Sequence, residues 1–244
     1  MVATSEPCKV LSISVVQHNI EMNIFICGQK SFGLAVAKRL LADGHKIVGV
    51  APPPQQKYKD KIVGWAMQKR IPIIDDCEKL TSDHIPDGTD LVLSAHSHWI
   101  INGKIIAKCK YGGIGYHPSL LPRHRGRDAV RWAVAMRDAI TGGTVYRLDD
   151  RCDGGNIILQ RTQFINPAWD YHELWRHLFP VGVELLSEAC KLIERTANTQ
   201  DEQQQDEQFA TWEPSWERTR LPRTELLQLE CRTYDPKDYE RKGW

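Results

Sequence analysis

No cysteine in this chain has another one within a metal-binding or redox spacing. The seven, Cys8, Cys27, Cys77, Cys109, Cys152, Cys190 and Cys231, are scattered and odd in number. This argues against a disulfide framework or a structural zinc site, and for a reducing, cytoplasmic compartment. No apolar run approaches the roughly 18 residues that a membrane-spanning helix needs. The first 21 residues lack the basic start and long apolar core of a secretory leader. An excess of one charge is missing too: 32 basic against 31 acidic side chains leave +1. A dedicated nucleic-acid binder would carry a strong positive field, so nucleic acid is not the expected partner, although Arg123, Arg125, Arg127 and Arg131 lie close together. There is no repeat of the solenoid kind.

What is present is an ordinary globular composition, 41% hydrophobic and 26% charged over 244 residues. That is enough chain for one sizeable α/β domain with appendages. Asn23 to Cys27 reads as a buried strand, Phe32 to Ala42 as a helix by its apolar spacing, and Lys46 to Val50 as a second strand. A β-α-β opening implies a parallel sheet. Lys61 to Lys69 reads as a helix, and Ile71–Ile74, Asp90–Ser94 and Gly113–His117 as further strands. Asp128 to Arg137 is helical in pattern, Gly143 to Leu148 and Asn156 to Phe164 strand-like. Trp169 to Glu194 forms a long helical pattern with a break expected at Phe179-Pro180. The stretch from Asn198 to Gln208, dominated by Gln, Glu and Asp, reads as a solvated linker. The expected organisation is an N-terminal extension over 1–21, a catalytic domain over 22–197, and a linker with a C-terminal appendage over 198–244. The fold class is α/β, a mostly parallel twisted sheet with flanking helices.

Four segments invite chemistry. Gly28-Gln-Lys-Ser-Phe-Gly33 sits where a dinucleotide-binding fold places its phosphate loop. Its spacing is not G-x-G-x-x-G, G-K-[ST] is absent, and Pro52-Pro53-Pro54 stands where an acidic residue would meet a ribose. A tight strand-to-helix turn is the better reading, and nicotinamide binding is not expected. In Ala95-His96-Ser97-His98-Trp99 two histidines share a face if extended, but no third ligand is near. A loop at the ligand crevice, beyond the carboxyl ends of the strands, fits better than a metal site. His117 ends a predicted strand, and Pro118 stops it there. Asp153 follows Asp149 and Asp150, and Gly154-Gly155 permits close backbone approach. A histidine beside a carboxylate is a general acid/base pair, yet a hydrogen-bonded strand-end histidine and a plain Asp-Gly-Gly turn read as well from spacing alone.

The letters around these residues go further. Gly113-Ile-Gly-Tyr-His-Pro-Ser-Leu-Leu-Pro-Arg-His-Arg-Gly126 resembles the signature of the 10-formyltetrahydrofolate-dependent formyltransferases, Asn-x-His-x-Ser-Leu-Leu-Pro then Arg-Gly. Asp153-Gly-Gly-Asn-Ile157 resembles the family's later Asp-x-Gly-x-Ile. The resemblance runs from Met22 to about Glu194, and Ala210-Thr-Trp-Glu-Pro214 is similar to the segment that follows. Gly28-Gln-x-x-Phe-Gly33 and Tyr116 to Gly126 are most similar to the hydrolase domain of 10-formyltetrahydrofolate dehydrogenase. The family asparagine two residues before the histidine is replaced by Gly115.

The resemblance implies 10-formyltetrahydrofolate as formyl donor, with no metal and no nicotinamide. His117 would polarise or protonate the formyl oxygen, and Asp153 would orient the imidazole and accept a proton. Ser119 would position the loop, Gly115 stands at the place of the missing donor, and Arg125 would shape the acceptor entrance. The pteridine would sit between His98-Trp99-Ile100 and the turn from Asp149 and Asp150 to Asp153. The expected reaction is transfer to an amine on a small molecule, an amino sugar being one acceptor class. Hydrolysis with water as acceptor is the first alternative, methionyl-tRNA formylation the next, and a non-catalytic folate-binding protein the last. Nothing in the sequence sets an oligomeric state.

Overall fold

The computed structural model describes residues 21–54, 60–196 and 202–213. The expected N-terminal extension over 1–20 and the appendage beyond 213 lie outside the described residues, as do Cys8 and Cys231.

The first strand, β1 (Asn23–Gly28), is apolar on both sides because both faces of the sheet are covered there. In α1 (Lys30–Ala42), Phe32, Val36, Ala37 and Leu40 recur at helical spacing and are buried against that sheet. After β2 (Lys46–Ala51), Asp60 caps α2 (Lys61–Lys69) by accepting from the Ile62 N–H at 3.0 Å. The same carboxylate accepts the Lys30 N–H at 2.8 Å, which ties the β1–α1 turn to α2. The chain continues through β3 (Leu91–Ala95), α3 (Gly103–Lys108), β4 (Gly113–His117), α4 (Ala129–Ala135), β5 (Ile140–Arg147), β6 (Ile157–Phe164) and α5 (Tyr171–Thr196).

The strands form one sheet in the order β2-β1-β3-β4-β5-β6. The first four are mutually parallel, and β5 and β6 join as antiparallel neighbours. One face packs on α1, α2 and α5 through a large apolar cluster that includes Phe32, Tyr116, Leu186 and Ile193. The other is covered by α3 and loops, around Phe25, Trp99, Ile101 and Ile105. Gly28, Ala95 and His117 end β1, β3 and β4 on one edge, where an open α/β sheet binds ligands.

Three expectations need correction. Ile71–Ile74 is not a strand: Ile73 makes a single parallel bridge to Val50, because Pro72 has no N–H to extend a ladder. The break at Phe179-Pro180 is absent, and α5 runs through Pro180. The proline stands on the exposed side of that helix, so the carbonyl it leaves without a partner can meet water. Residues 202–213 are no solvated linker. They lie across the domain as a strap, joined to the start of β6 by reciprocal Gln203–Ile157 backbone bonds of 2.9 and 2.7 Å.

Candidate active site

In the parallel-to-antiparallel register, Gly115 faces Tyr146 and His117 faces Thr144. Directly opposed residues share a face, so these four side-chain positions look away from α1 and α5. On that side Gly113 and Gly115 leave the strand bare, and Leu148 packs into the space: ideal Cβ atoms at the two glycines would stand 3.1 and 3.0 Å from its methyl carbons. The β5–β6 connection can therefore fold back over the strand and bring Asp153 to His117. At Gly155 an added Cβ would stand 1.8 Å from the Arg147 carbonyl oxygen, so the turn closes this tightly only with glycine.

His117 is buried. Its Nε2 lies 2.6 Å from the His124 carbonyl oxygen. A carbonyl only accepts, so Nε2 carries a proton, and the network assigns the tautomer. Nδ1 then lies 3.5 Å from Asp153 Oδ2. In the neutral ring Nδ1 is a lone pair facing a carboxylate; in the charged ring it is a donor. Nδ1 is thus where this pair gains and loses a proton. Asp153 itself has φ 49°, a left-handed conformation, and His96, His124 and Asp128 share it at φ 62°, 57° and 65°.

The Asp153 carboxylate accepts the Gly126 N–H at 2.7 Å on Oδ2 and the Tyr146 hydroxyl at 2.5 Å on Oδ1. The Cys152 thiol points to Oδ2 at 3.7 Å; burial first, and the Asp153 charge second, push that thiol up and keep it protonated. Ser119 is fully buried, and its hydroxyl donates to the Arg123 carbonyl at 2.6 Å. Thr144 Oγ1 donates to the Ser119 carbonyl at 2.6 Å, so β5 holds the loop after β4.

Of the predicted ligand loop, His98 and Ile100 are exposed, Ile100 at 64%. Trp99 is not available as a ligand platform. Its ring belongs to the core, and Nε1 donates to the Pro52 carbonyl at 2.7 Å, which anchors the loop. Asp150 Oδ1 accepts the Gly103 N–H at 3.0 Å and brings the acidic turn against this loop. Asp149 pairs with Arg151 at 2.6 Å within the turn.

Arg125 also departs from expectation. It is 3% exposed, and its guanidinium is committed to the strap rather than to an acceptor entrance. It donates to Gln205 Oε1 at 2.8 Å and to Glu207 at 2.7 Å, and lies over the Trp212 ring. Gln205 in turn donates to the Asp153 and Gly155 carbonyls at 2.9 and 2.7 Å. His124, 1% exposed, bridges Asp138 at 2.8 Å and Glu213 at 2.7 Å. The strap thus braces both loops of the pair, holding His124 through Thr211 and Glu213 on one side and the Asp153 turn through Gln205 on the other. Sequence reasoning missed Gln205, Glu213 and Tyr146. The Trp212-Glu-Pro214 resemblance was the available signal for the strap.

Burial opposes a charge on His124, but the hydrogen bonds it donates to Asp138 and Glu213 outweigh it and raise its pKa above the ordinary value. A raised folded-state pKa stabilises fully below the unfolded value, about 6.5, and the contribution is lost as pH rises through the folded pKa. Thermal melting is therefore expected to fall as pH climbs above about 6.5. His124→Gln should flatten that slope; an unchanged slope would remove His124 from the account.

Residues 22–190 match the formyl transferase family. The chain is 32% identical over 200 residues to the mitochondrial 10-formyltetrahydrofolate dehydrogenase of Mus musculus, covering 78% of this chain and 22% of that protein. To the cytosolic 10-formyltetrahydrofolate dehydrogenase of Xenopus laevis it is 35% identical over 183 residues, covering 70% of this chain and 20% of the relative. It thus spans less than a quarter of the length of these dehydrogenases. With methionyl-tRNA formyltransferase of Acidobacterium capsulatum the identity is 30%, over 79% of this chain and 65% of the relative. Among solved structures, glycinamide ribonucleotide transformylase 1 from Symbiobacterium toebii shares the fold with a TM-score of 0.65 at 19% identity, over 76% of this chain and 95% of that one. An N-formyltransferase from Helicobacter canadensis, in complex with folinic acid and dTDP-3-aminofucose, aligns with a TM-score of 0.62 at 17% identity, over 79% and 70% of the two chains.

Proposed function

The chain belongs to the formyl transferase family, and on that premise we propose that it takes the formyl group from 10-formyltetrahydrofolate and passes it to an amine on a small molecule, such as an amino sugar. The observation that carries this reading is His117 Nδ1 at 3.5 Å from Asp153 Oδ2 on the carboxyl edge of the sheet. The bound donor supplies an electrophilic formyl carbon; the acceptor's new C–N bond forms as the donor's own C–N bond breaks. Protonated His117 donates through Nδ1 to the formyl oxygen as it gains negative charge. Asp153 takes the proton released by the acceptor nitrogen, and Nδ1 then returns a proton to the leaving nitrogen.

The residues suit a folate head. The 98–102 loop and the 149–153 turn are held side by side by the Gly103–Asp150 bond, and exposed Ile100 offers an apolar edge beside backbone polar groups. His98, Asp149 and Asp150 complete that rim, while Trp99 anchors it from the core.

Hydrolysis of the same donor is the second reading. Gly115 offers no side-chain donor to the formyl oxygen, and removing one such donor typically costs roughly 10²–10³ in rate. The similarity to 10-formyltetrahydrofolate dehydrogenases points the same way. Transfer to tRNA ranks below both, since a net charge of +1 supplies no nucleic-acid field.

The test is turnover of 10-formyltetrahydrofolate with and without a panel of amines that includes glycinamide ribonucleotide and a nucleotide-linked amino sugar. Transfer predicts tetrahydrofolate formation that depends on one amine, with that amine formylated in equal amount. Formate matching tetrahydrofolate in the absence of any amine decides for hydrolysis. No loss of the formyl group under any condition rejects both.

A further inference from the structure

We propose that Tyr146 is a positioning residue of this site: its ring fills the space beside Gly115, and its hydroxyl holds the Asp153 carboxylate towards His117. The inference rests on Asp153 acting as described under the proposed function, but its test does not need that activity.

The side-chain positions of Gly115 and Tyr146 are opposed on β4 and β5 and share a face. An ideal Cβ at Gly115 would stand 3.2 Å from both Cε1 and Cζ of the tyrosine ring, and 3.0 Å from Leu148 Cδ2. A side chain at 115 and this ring compete for one space, so the glycine and the tyrosine are a matched pair. The place from which another residue type at 115 would reach the site is occupied by a phenol.

That phenol is 6% exposed, and its hydroxyl donates to Asp153 Oδ1 at 2.5 Å. Burial first, then the neighbouring Asp153 charge, push its pKa well up, so it remains a donor throughout the neutral range. With Oδ1 held by Tyr146, Oδ2 is left to the Gly126 N–H, the Cys152 thiol and His117. The carboxylate cannot turn about its last bond without breaking a charge-assisted hydrogen bond. His117, Tyr146 and Cys152 are the titratable groups against Asp153, and Arg125 and Asp149 add charge to the same pocket.

Tyr146→Phe keeps the ring and removes the donor. A carboxylate that loses a donor binds its proton more tightly. The Asp153 carboxyl carbon, followed by 13C NMR and identified by its loss in Asp153→Asn, should therefore titrate at higher pH in Tyr146→Phe than in the wild type. In turnover, kcat should fall roughly 10- to 100-fold, the scale of one hydrogen bond to a charged group, while KM stays nearly constant. Gly115→Ala should act in the same direction by pushing the ring aside, and should add little in a Tyr146→Phe background, because both changes break one interaction. An unchanged carboxyl titration in a folded Tyr146→Phe overturns the proposal, whatever the activity. Fully additive effects of the two substitutions also overturn it. A shifted titration in a protein that never turns over 10-formyltetrahydrofolate would reject the proposed function and leave the Tyr146 assignment standing.

Discussion

Asp153→Asn is expected to slow formyl loss from 10-formyltetrahydrofolate by roughly 10²–10⁴, the range that a positioned acid or base contributes. The structure explains why this variant should fold. An amide at 153 can turn its NH2 to the Tyr146 oxygen, which accepts as readily as it donates. Its carbonyl then keeps the Gly126 N–H, now 2.7 Å from Oδ2. The shape of the turn persists while its ability to take a proton is lost. His117→Ala should cost as much, because it removes the imidazole that faces Asp153 and leaves the His124 carbonyl without that donor. Single-turnover measurement on wild type, Asp153→Asn and His117→Ala decides the matter. Equal rates in all three would exclude any reaction that runs through this pair. Because the two residues act as a unit, the double variant should be little worse than either single one.

The second large effect is one of stability. Glu213→Ala removes one of the two carboxylates that bracket the buried His124 imidazole. Breaking a buried ion pair by deleting one partner costs about 3–5 kcal/mol. For a domain of this size that lowers the melting temperature by roughly 10 °C. Activity should fall with it, since the strap holds the Asp153 turn through Gln205 and steadies the segment whose carbonyl accepts from His117. Glu213→Gln, which can still accept from His124 but carries no charge, should lose less. Melting curves and turnover measured on both variants check this: a Glu213→Ala protein that melts with the wild type would show that residues 202–213 only lie against the domain.

The strap also marks where reading along the chain stops working. Asn198 to Gln208 has the composition of a solvated segment, and locally that is sound. Gln205 and Glu207 are nonetheless used as partners for Arg125, eighty or more positions earlier in the sequence. Arg125 itself was legible as a functional letter but not as a buried one, since a basic loop residue gives no sign of the carboxylate and amide waiting for it. Trp99 misled in the opposite way. Its place in a crevice loop suggested ligand contact, whereas its indole fills the core behind that loop. Elsewhere the local rules sufficed: the apolar spacing of α1, the helix over Lys61 to Lys69 and the His117-Pro118 strand end all read directly from neighbouring residues.

The amino-acid sequence by itself determined the α/β class, the β-α-β opening, the place of His117 at a strand end and, through two well-separated motifs, the resemblance to the formyltransferases. Those features depend on periodicity and on residues a few positions apart. Only the tertiary structure decided what surrounds the pair. It placed a proton on His117 Nε2, which donates to the His124 carbonyl, closed the strap over both loops and set Tyr146 in the space that Gly115 leaves open. The strap and the Tyr146–Gly115 contact join residues remote in sequence, and the His117–His124 bond needs the loop after β4 folded back on its strand, so none of the three follows from periodicity or spacing along the chain.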